Sequence, residues 1–161
     1  MLNQSDKFLQ DVREYSSKSF YFFARAVLGF DWLVPHIHKP LCDALQDQNN
    51  NKVRVLFPRG WLKSTICSIS YPIWRSTNDP TFRSLLVQNT FTNACNKLSV
   101  IRGTFERNEL FRVMYPELLP NKHCTWKNEA LCVNRPRELD ACTFEAAGTQ
   151  TQVTSRHYNL I

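Results

Sequence analysis

The chain reads as an α/β fold with a mostly parallel central sheet, and three observations predict it. Residues 52–65, KVRVLFPRGWLKST, pass from an alternating apolar run through a Pro-Arg-Gly turn into a helix start. Residues 84–89, SLLVQN, form a compact apolar run suited to a buried parallel strand, and a helical pattern follows from about residue 92 to residue 107. Strand, helix, strand, helix implies right-handed crossovers and a ligand site at the carboxyl ends of the strands, where residues 57–65 are expected to fall.

Length and composition bound the reading. A chain of 161 residues suits one domain with a real core, and 43% hydrophobic against 21% charged residues places it among globular proteins. The formal charge of +6 favours an anionic partner such as a nucleotide or a nucleic acid. Cys42, Cys67, Cys95, Cys124, Cys132 and Cys142 are scattered without a C-x-x-C pair, and no secretory leader precedes them, so reduced thiols are expected. The spacing of His123, Cys124 and Cys132 fits no usual zinc arrangement.

Along the chain, residues 5–28 place Phe8, Leu9, Val12 and Tyr15 at helical spacing before an aromatic run, Phe20 to Phe23. That stretch is too short for a membrane span and contains Arg25, so a packed helix ending at Gly29 is predicted. Residues 38–45, HKPLCDAL, read as a further helix with Leu41, Cys42 and Leu45 inward. The polar stretch 47–52 is a loop leading into a strand over Val53, Val55 and Phe57, and Pro72 is expected to kink or end the helix that follows the turn. Residues 126–133 and 142–146 look like a strand pair, residues 148–155 read as a small, polar, mobile loop, and HYNLI at 157–161 begins another apolar strand.

The chemistry concentrates in residues 57–65. A strand, a turn and a helix headed by Lys-Ser is phosphate-loop geometry: backbone N–H groups converge on an anion, Lys63 reaches the outer phosphates, and Ser64 ligates magnesium. The general pattern G-x-x-x-x-G-K-[ST] places glycine where this chain has Phe57 and Leu62, and Gly60 is the turn's one glycine. The competing reading is an ordinary strand-to-helix connection whose Lys-Ser-Thr is a solvated, capped helix start. A phosphate-loop enzyme also needs acids on a neighbouring strand to position magnesium and polarise water. Glu145 is the nearest candidate and Asp140 a weaker one; both read as solvated turn or strand-surface residues.

In order, the segments FARAVLGFDWLVP, HKPLCDAL, PRGWLKST, SLLVQNT, TWKNEAL and GTQTQVTSRHYNLI resemble the N-terminal ATPase portion of the large terminase subunit, the DNA-packaging motor of tailed bacteriophages. The resemblance implies a three-layer P-loop NTPase of the ASCE type, incomplete at its C-terminus. Residues 1–50 would be a helical lead-in with the adenine-side segment, and 51–161 the P-loop core, with the nuclease domain absent. It implies ATP held by His38, Pro58, Arg59, Gly60, Trp61, Leu62, Lys63, Ser64 and Thr65, with Mg2+ at Ser64. Lys63, Arg59 and Arg156 would serve catalysis, Arg59 at the terminal phosphate and Arg156 on a neighbouring subunit's nucleotide.

The implied partners are double-stranded DNA, the phage portal, the small terminase subunit and further copies in a homo-oligomeric ring, with no membrane, in the host cytoplasm. In relatives a segment similar to TSRHYNLI runs into paired Walker B acids, so this chain is expected to be a fragment with little hydrolysis of its own. Alternatives are a catalytically silent nucleotide- or DNA-binding remnant, a helicase-like P-loop ATPase, and a basic interaction domain without a nucleotide.

Overall fold

A computed structural model of the chain describes residues 4–47, 49–50, 52–135, 141–151, 153 and 157–161. The chain falls into two units, Met1–Trp74 and Arg75–Ile161, so that residues 57–65 belong with the helical lead-in.

The first unit is helical. Helix α1 (Gln4–Lys18) turns Leu9 and Val12 partly inward, whereas Phe8 and Tyr15 stay 65% and 58% exposed. The predicted single helix over 5–28 is broken at Ser19, whose hydroxyl accepts from the Phe22 N–H at 3.3 Å and caps α2 (Phe20–Phe22). That turn widens into a π-helical stretch, Phe23–Val27, which Gly29 at φ 79° ends as predicted. Helix α3 (Pro35–Gln46) carries Pro35 in its first turn, where no amide donor is needed, and accommodates Pro40 inside. The Gln46 side chain ties α3 to the α1–α2 break, accepting from the Phe20 N–H at 2.9 Å and donating to the Lys18 carbonyl at 2.7 Å.

The helix entered at Lys63 runs through a second π stretch, Thr65–Ser70, into α4 (Tyr71–Asn78). It does not end at Pro72. The missing proline donor falls just after the widened turn, where the backbone pairing has already shifted and the Ser70 hydroxyl bonds the Thr65 carbonyl at 2.8 Å. Ile66, Ile69, Ile73 and Trp74 face the unit's core with Phe20 and Phe23. Phe20 meets Tyr71 and Trp74, both at 5.4 Å between ring centroids, and the buried Trp74 indole N–H donates to the Ser16 carbonyl at 2.9 Å.

The second unit carries the sheet. Strand β1 (Ser84–Gln88) leads into helix α5 (Phe91–Arg107), within two residues of the predicted boundaries, then α6 (Glu109–Met114), β2 (Ala130–Leu131) and β3 (Phe144–Gly148). The sheet order is β1-β3-β2, with β1 parallel to β3 and β2 antiparallel to it. The strand pair expected from residues 126–133 and 142–146 is this β2–β3 ladder, shorter than the sequence pattern. The terminal segment, expected to begin an apolar strand, makes a single bridge to β1: Leu160 pairs with Ser84 in parallel, and Leu85 N–H donates to the Leu160 carbonyl at 2.9 Å. Thr90 caps α5 through the Asn93 N–H, and Asn108 caps α6 through the Phe111 N–H. Phe105 packs against Phe111, Trp126 and Phe144 to form the core over the sheet.

Three expectations are corrected. Residues 53–58 have no strand: Val55 and Phe57 are half-buried and Leu56 is 85% exposed, so the alternation survives without a ladder. Alternation fixes which side of an extended segment faces the protein, while a ladder also needs a neighbour. Glu145 is 6% exposed inside β3 rather than solvated. Gly148, assigned by sequence to a mobile loop, is the buried last residue of β3. Arg156 and Asp140 lie outside the described residues. No helix among the described residues is long and apolar enough to cross a membrane.

At Gly148 the end of β3 meets the start of α5, and a Cβ there would lie 2.8 Å from the Phe91 backbone nitrogen. Gly148→Ala is therefore expected to destabilise the protein by about 1–3 kcal/mol, the range for overpacking against atoms that cannot turn aside. Urea unfolding at fixed m-value measures it; an unchanged midpoint would show that the two backbones are not in contact.

Candidate functional site

Residues 57–65 build a turn whose backbone takes positive φ twice. The Trp61 N–H bonds the Pro58 carbonyl at 3.3 Å, and Gly60 sits at φ 87°, the sign a type II turn requires at its third position. Leu62 follows at φ 56°, the one residue other than glycine with positive φ among those described. The Leu62 carbonyl then accepts the Ile66 N–H at 2.9 Å and opens the helix, so the N–H groups of 63–65 stand in a first turn where helical pairing supplies no acceptor.

The side chains add positive charge. Residues 52–65 carry Lys52, Arg54, Arg59 and Lys63 and no Asp or Glu. The Lys63 ammonium donates back to the Phe57 carbonyl at 3.3 Å, which holds it across the loop. Ser64 is exposed and makes no capping bond, leaving its hydroxyl at the helix start. Pro58, Arg59 and Gly60 are exposed and Thr65 is half-buried. Trp61 is 44% exposed, its ring meeting Phe57 edge-on at 6.2 Å, and Leu62 is half-buried. One turn onward, burial raises the Cys67 thiol to about 11, against the partial opposition of Lys63.

His38 is 5% exposed on α3. Its Nδ1 accepts the Val34 N–H at 2.7 Å, which fixes the proton on Nε2, and Nε2 is buried without a partner among the described residues. One turn along α3, the Cys42 thiol is raised to about 12 by burial, by Asp43 and by Cys67, so this face of α3 looks toward the helix that leaves the loop. Arg156 is not among the described residues, so its position relative to these groups is not defined.

A second constellation lies in the other unit, and sequence reasoning missed it. Cys132 and Cys142 lie close enough to shift each other's titration, the Arg135 Nη2 reaches the Cys132 sulfur at 3.5 Å, and Glu145 stands beside them. Their spacing follows no redox motif; the β2–β3 register, pairing Leu131 with Phe144, brings them together. No group of three His, Cys, Asp or Glu side chains among the described residues gathers to hold a metal. No protein-family model, curated protein or solved structure matches the chain.

The positive φ at Leu62 generates a prediction. Left-handed backbone costs a side-chain-bearing residue about 1–2 kcal/mol, and β-branching makes it worse. Leu62→Ile is expected to lose about 1 kcal/mol more than Leu62→Met, two changes that keep the apolar volume and differ in branching. Equal denaturation midpoints for the two variants would show that the backbone at 62 is unstrained.

Proposed function

We propose that residues 57–65 bind the triphosphate of ATP and that the chain is the ATPase portion of a DNA-packaging motor of the terminase large-subunit kind. The observation that carries the reading is Leu62: it takes positive φ at the position where the phosphate-loop pattern has glycine, directly ahead of Lys63 and Ser64. A left-handed backbone there is an energetic cost that an ordinary strand-to-helix connection has no reason to bear.

On this reading the first-turn N–H groups and the Lys63 ammonium neutralise the phosphates, and the Arg59 guanidinium contacts the terminal phosphate as a planar, bidentate donor. Ser64 offers a hydroxyl to magnesium; its exposure and lack of a capping bond fit that use. The ion would supply Lewis-acid stabilisation of phosphate charge. His38 would present Nε2–H to the base, and Arg156 would act on the nucleotide of a neighbouring copy. The lysines and arginines would grip double-stranded DNA by its phosphates, within a ring that also engages the portal and the small subunit in the host cytoplasm. The P-loop NTPase fold with its three layers belongs to the same proposal.

One observation favours the silent alternative. Glu145, the acid nearest to a catalytic position in sequence, accepts the Cys142 N–H at one oxygen and the Tyr158 hydroxyl at the other, both at 2.7 Å. Each oxygen of this carboxylate is thus already engaged within the protein. The chain alone is therefore expected to bind nucleotide and turn it over slowly.

Titration with a fluorescent ATP analogue tests the reading. Lys63→Ala removes a charge-assisted contact of about 1.5–3 kcal/mol, so the Kd is expected to rise about ten- to a hundredfold. Ser64→Ala is expected to abolish the gain in affinity on adding magnesium while leaving magnesium-free binding within about twofold. A Kd unchanged by Lys63→Ala would overturn the nucleotide reading. Phosphate release by the unmodified chain at motor-like rates, abolished in Lys63→Ala, would eliminate the silent alternative.

A further inference from the structure

The cavity beneath the β2–β3 pairing, about 690 Å³, is lined by Cys132, Cys142, Arg135 and Glu145, with His123 and Lys127 near its polar wall. The Arg135 guanidinium reaches the Cys132 sulfur at 3.5 Å, and the Cys142 thiol and the Thr143 backbone N–H lie near enough to favour its thiolate. The guanidinium is itself fixed, because the same Nη2 donates to the Ala141 carbonyl at 2.7 Å. Both cysteines are half-buried, and both line the cavity.

From this geometry we propose that Cys132 and Cys142 are a peroxide-oxidisable dithiol, with Cys132 the attacking sulfur, Cys142 the resolving one, and hydrogen peroxide the oxidant.

The charges that face Cys132 set its reactivity. Cys142 as donor, Arg135 and the Thr143 N–H favour the thiolate, while partial burial and Glu145 oppose it; the balance pulls Cys132 down to about 6. Cys142 moves the other way, held protonated chiefly because its hydrogen serves the Cys132 sulfur, and further by burial and by Glu145. One thiolate beside one thiol is the division of labour that disulfide formation needs.

The chemistry balances without a metal or a cofactor. The Cys132 thiolate attacks one peroxide oxygen, the O–O bond breaks, and hydroxide leaves, so that Cys132 becomes a sulfenic acid and the peroxide is reduced. Cys142 then attacks the Cys132 sulfur; the S–S bond forms, the S–OH bond breaks, and the Cys142 proton with the two hydroxide equivalents completes two waters once one proton is drawn from solvent, replacing the one Cys132 gave up on ionising. The net change is two thiols and one peroxide to one disulfide and two waters. The product would tie the start of β3 to the end of β2, closing the hairpin covalently.

The test uses the whole reduced chain. Hydrogen peroxide at pH 7, followed by alkylation and mass spectrometry, is expected to lower the intact mass by two hydrogens and to yield a linked Cys132–Cys142 peptide. In Cys142→Ser, dimedone is expected to label Cys132 and the bridge to vanish. At pH 6, iodoacetamide is expected to modify Cys132 about ten times faster than Cys124, since a thiolate population outweighs the lower nucleophilicity that accompanies a low pKa. Arg135→Met is expected to move the midpoint of that rate's pH profile upward by about one unit. A Cys132 profile with its midpoint above about pH 8, the ordinary range for thiols, overturns the proposal. So does a peroxide-treated chain that keeps its thiols or oxidises them singly without the Cys132–Cys142 link.

Discussion

The left-handed backbone at Leu62 is the constraint on which the helical unit turns. Leu62 takes φ 56° between Gly60 and Lys63, and the helix that follows lays Ile66, Ile69, Ile73 and Trp74 onto the core. Those side chains are what Phe20 and Phe23 pack against, and the Trp74 indole closes the arrangement by bonding the Ser16 carbonyl. Each fully buried residue of this size is worth about 1.5–3 kcal/mol of transfer free energy. A strain of one or two kcal/mol at a single position is thus held easily by the packing beyond it. Lys63 and Ser64 directly follow this residue, so the candidate phosphate site and the entry to the packed helix are adjacent in the chain.

The sequence showed the second unit more clearly than the first. The run SLLVQN and the helix after Thr90 are legible because local signals agree: apolar continuity for a buried strand, a threonine cap, and Leu98, Ile101 and Phe105 at helical spacing. The antiparallel pairing near residue 130 and the terminal segment along β1 follow from similar patterns. What was illegible depends on partners. Residues 53–57 alternate as a strand does, yet hydrogen-bond pairing is a property of two segments, and one sequence pattern names only one of them. The π stretches at 23–27 and 65–70 have no compositional mark, since widening a turn by one residue answers to packing and to a hydroxyl such as that of Ser70.

The candidate phosphate loop was legible as a motif and its backbone was not. Lys63, Ser64 and Gly60 match the phosphate-loop pattern; Leu62 in place of glycine argued against it, because side chains disfavour the left-handed conformation. The structure places Leu62 in that conformation nonetheless, which turns the departure from the motif into the feature that sets the loop apart. His38 illustrates the opposite case. Its helix-start position was visible, but only the Val34 contact reveals that Nδ1 is taken and that Nε2 is the remaining donor.

Glu145 shows how burial converts a candidate acid into a structural one. A carboxylate in the middle of a buried strand is costly unless its oxygens are met, and here the Cys142 N–H and the Tyr158 hydroxyl meet them. Charge-assisted bonds of this kind contribute about 1.5–3 kcal/mol each. They also connect parts that the chain separates: Tyr158 belongs to the segment that reaches β1 through Leu160, while Cys142 lies just ahead of β3. The carboxylate therefore faces two ways. It anchors the terminal segment through Tyr158, and it adds the negative field that keeps Cys142 protonated beside Cys132. The acid most visible in the sequence is thus tied into the fold at both of its oxygens, a placement that only the β2–β3 pairing and the terminal segment could reveal.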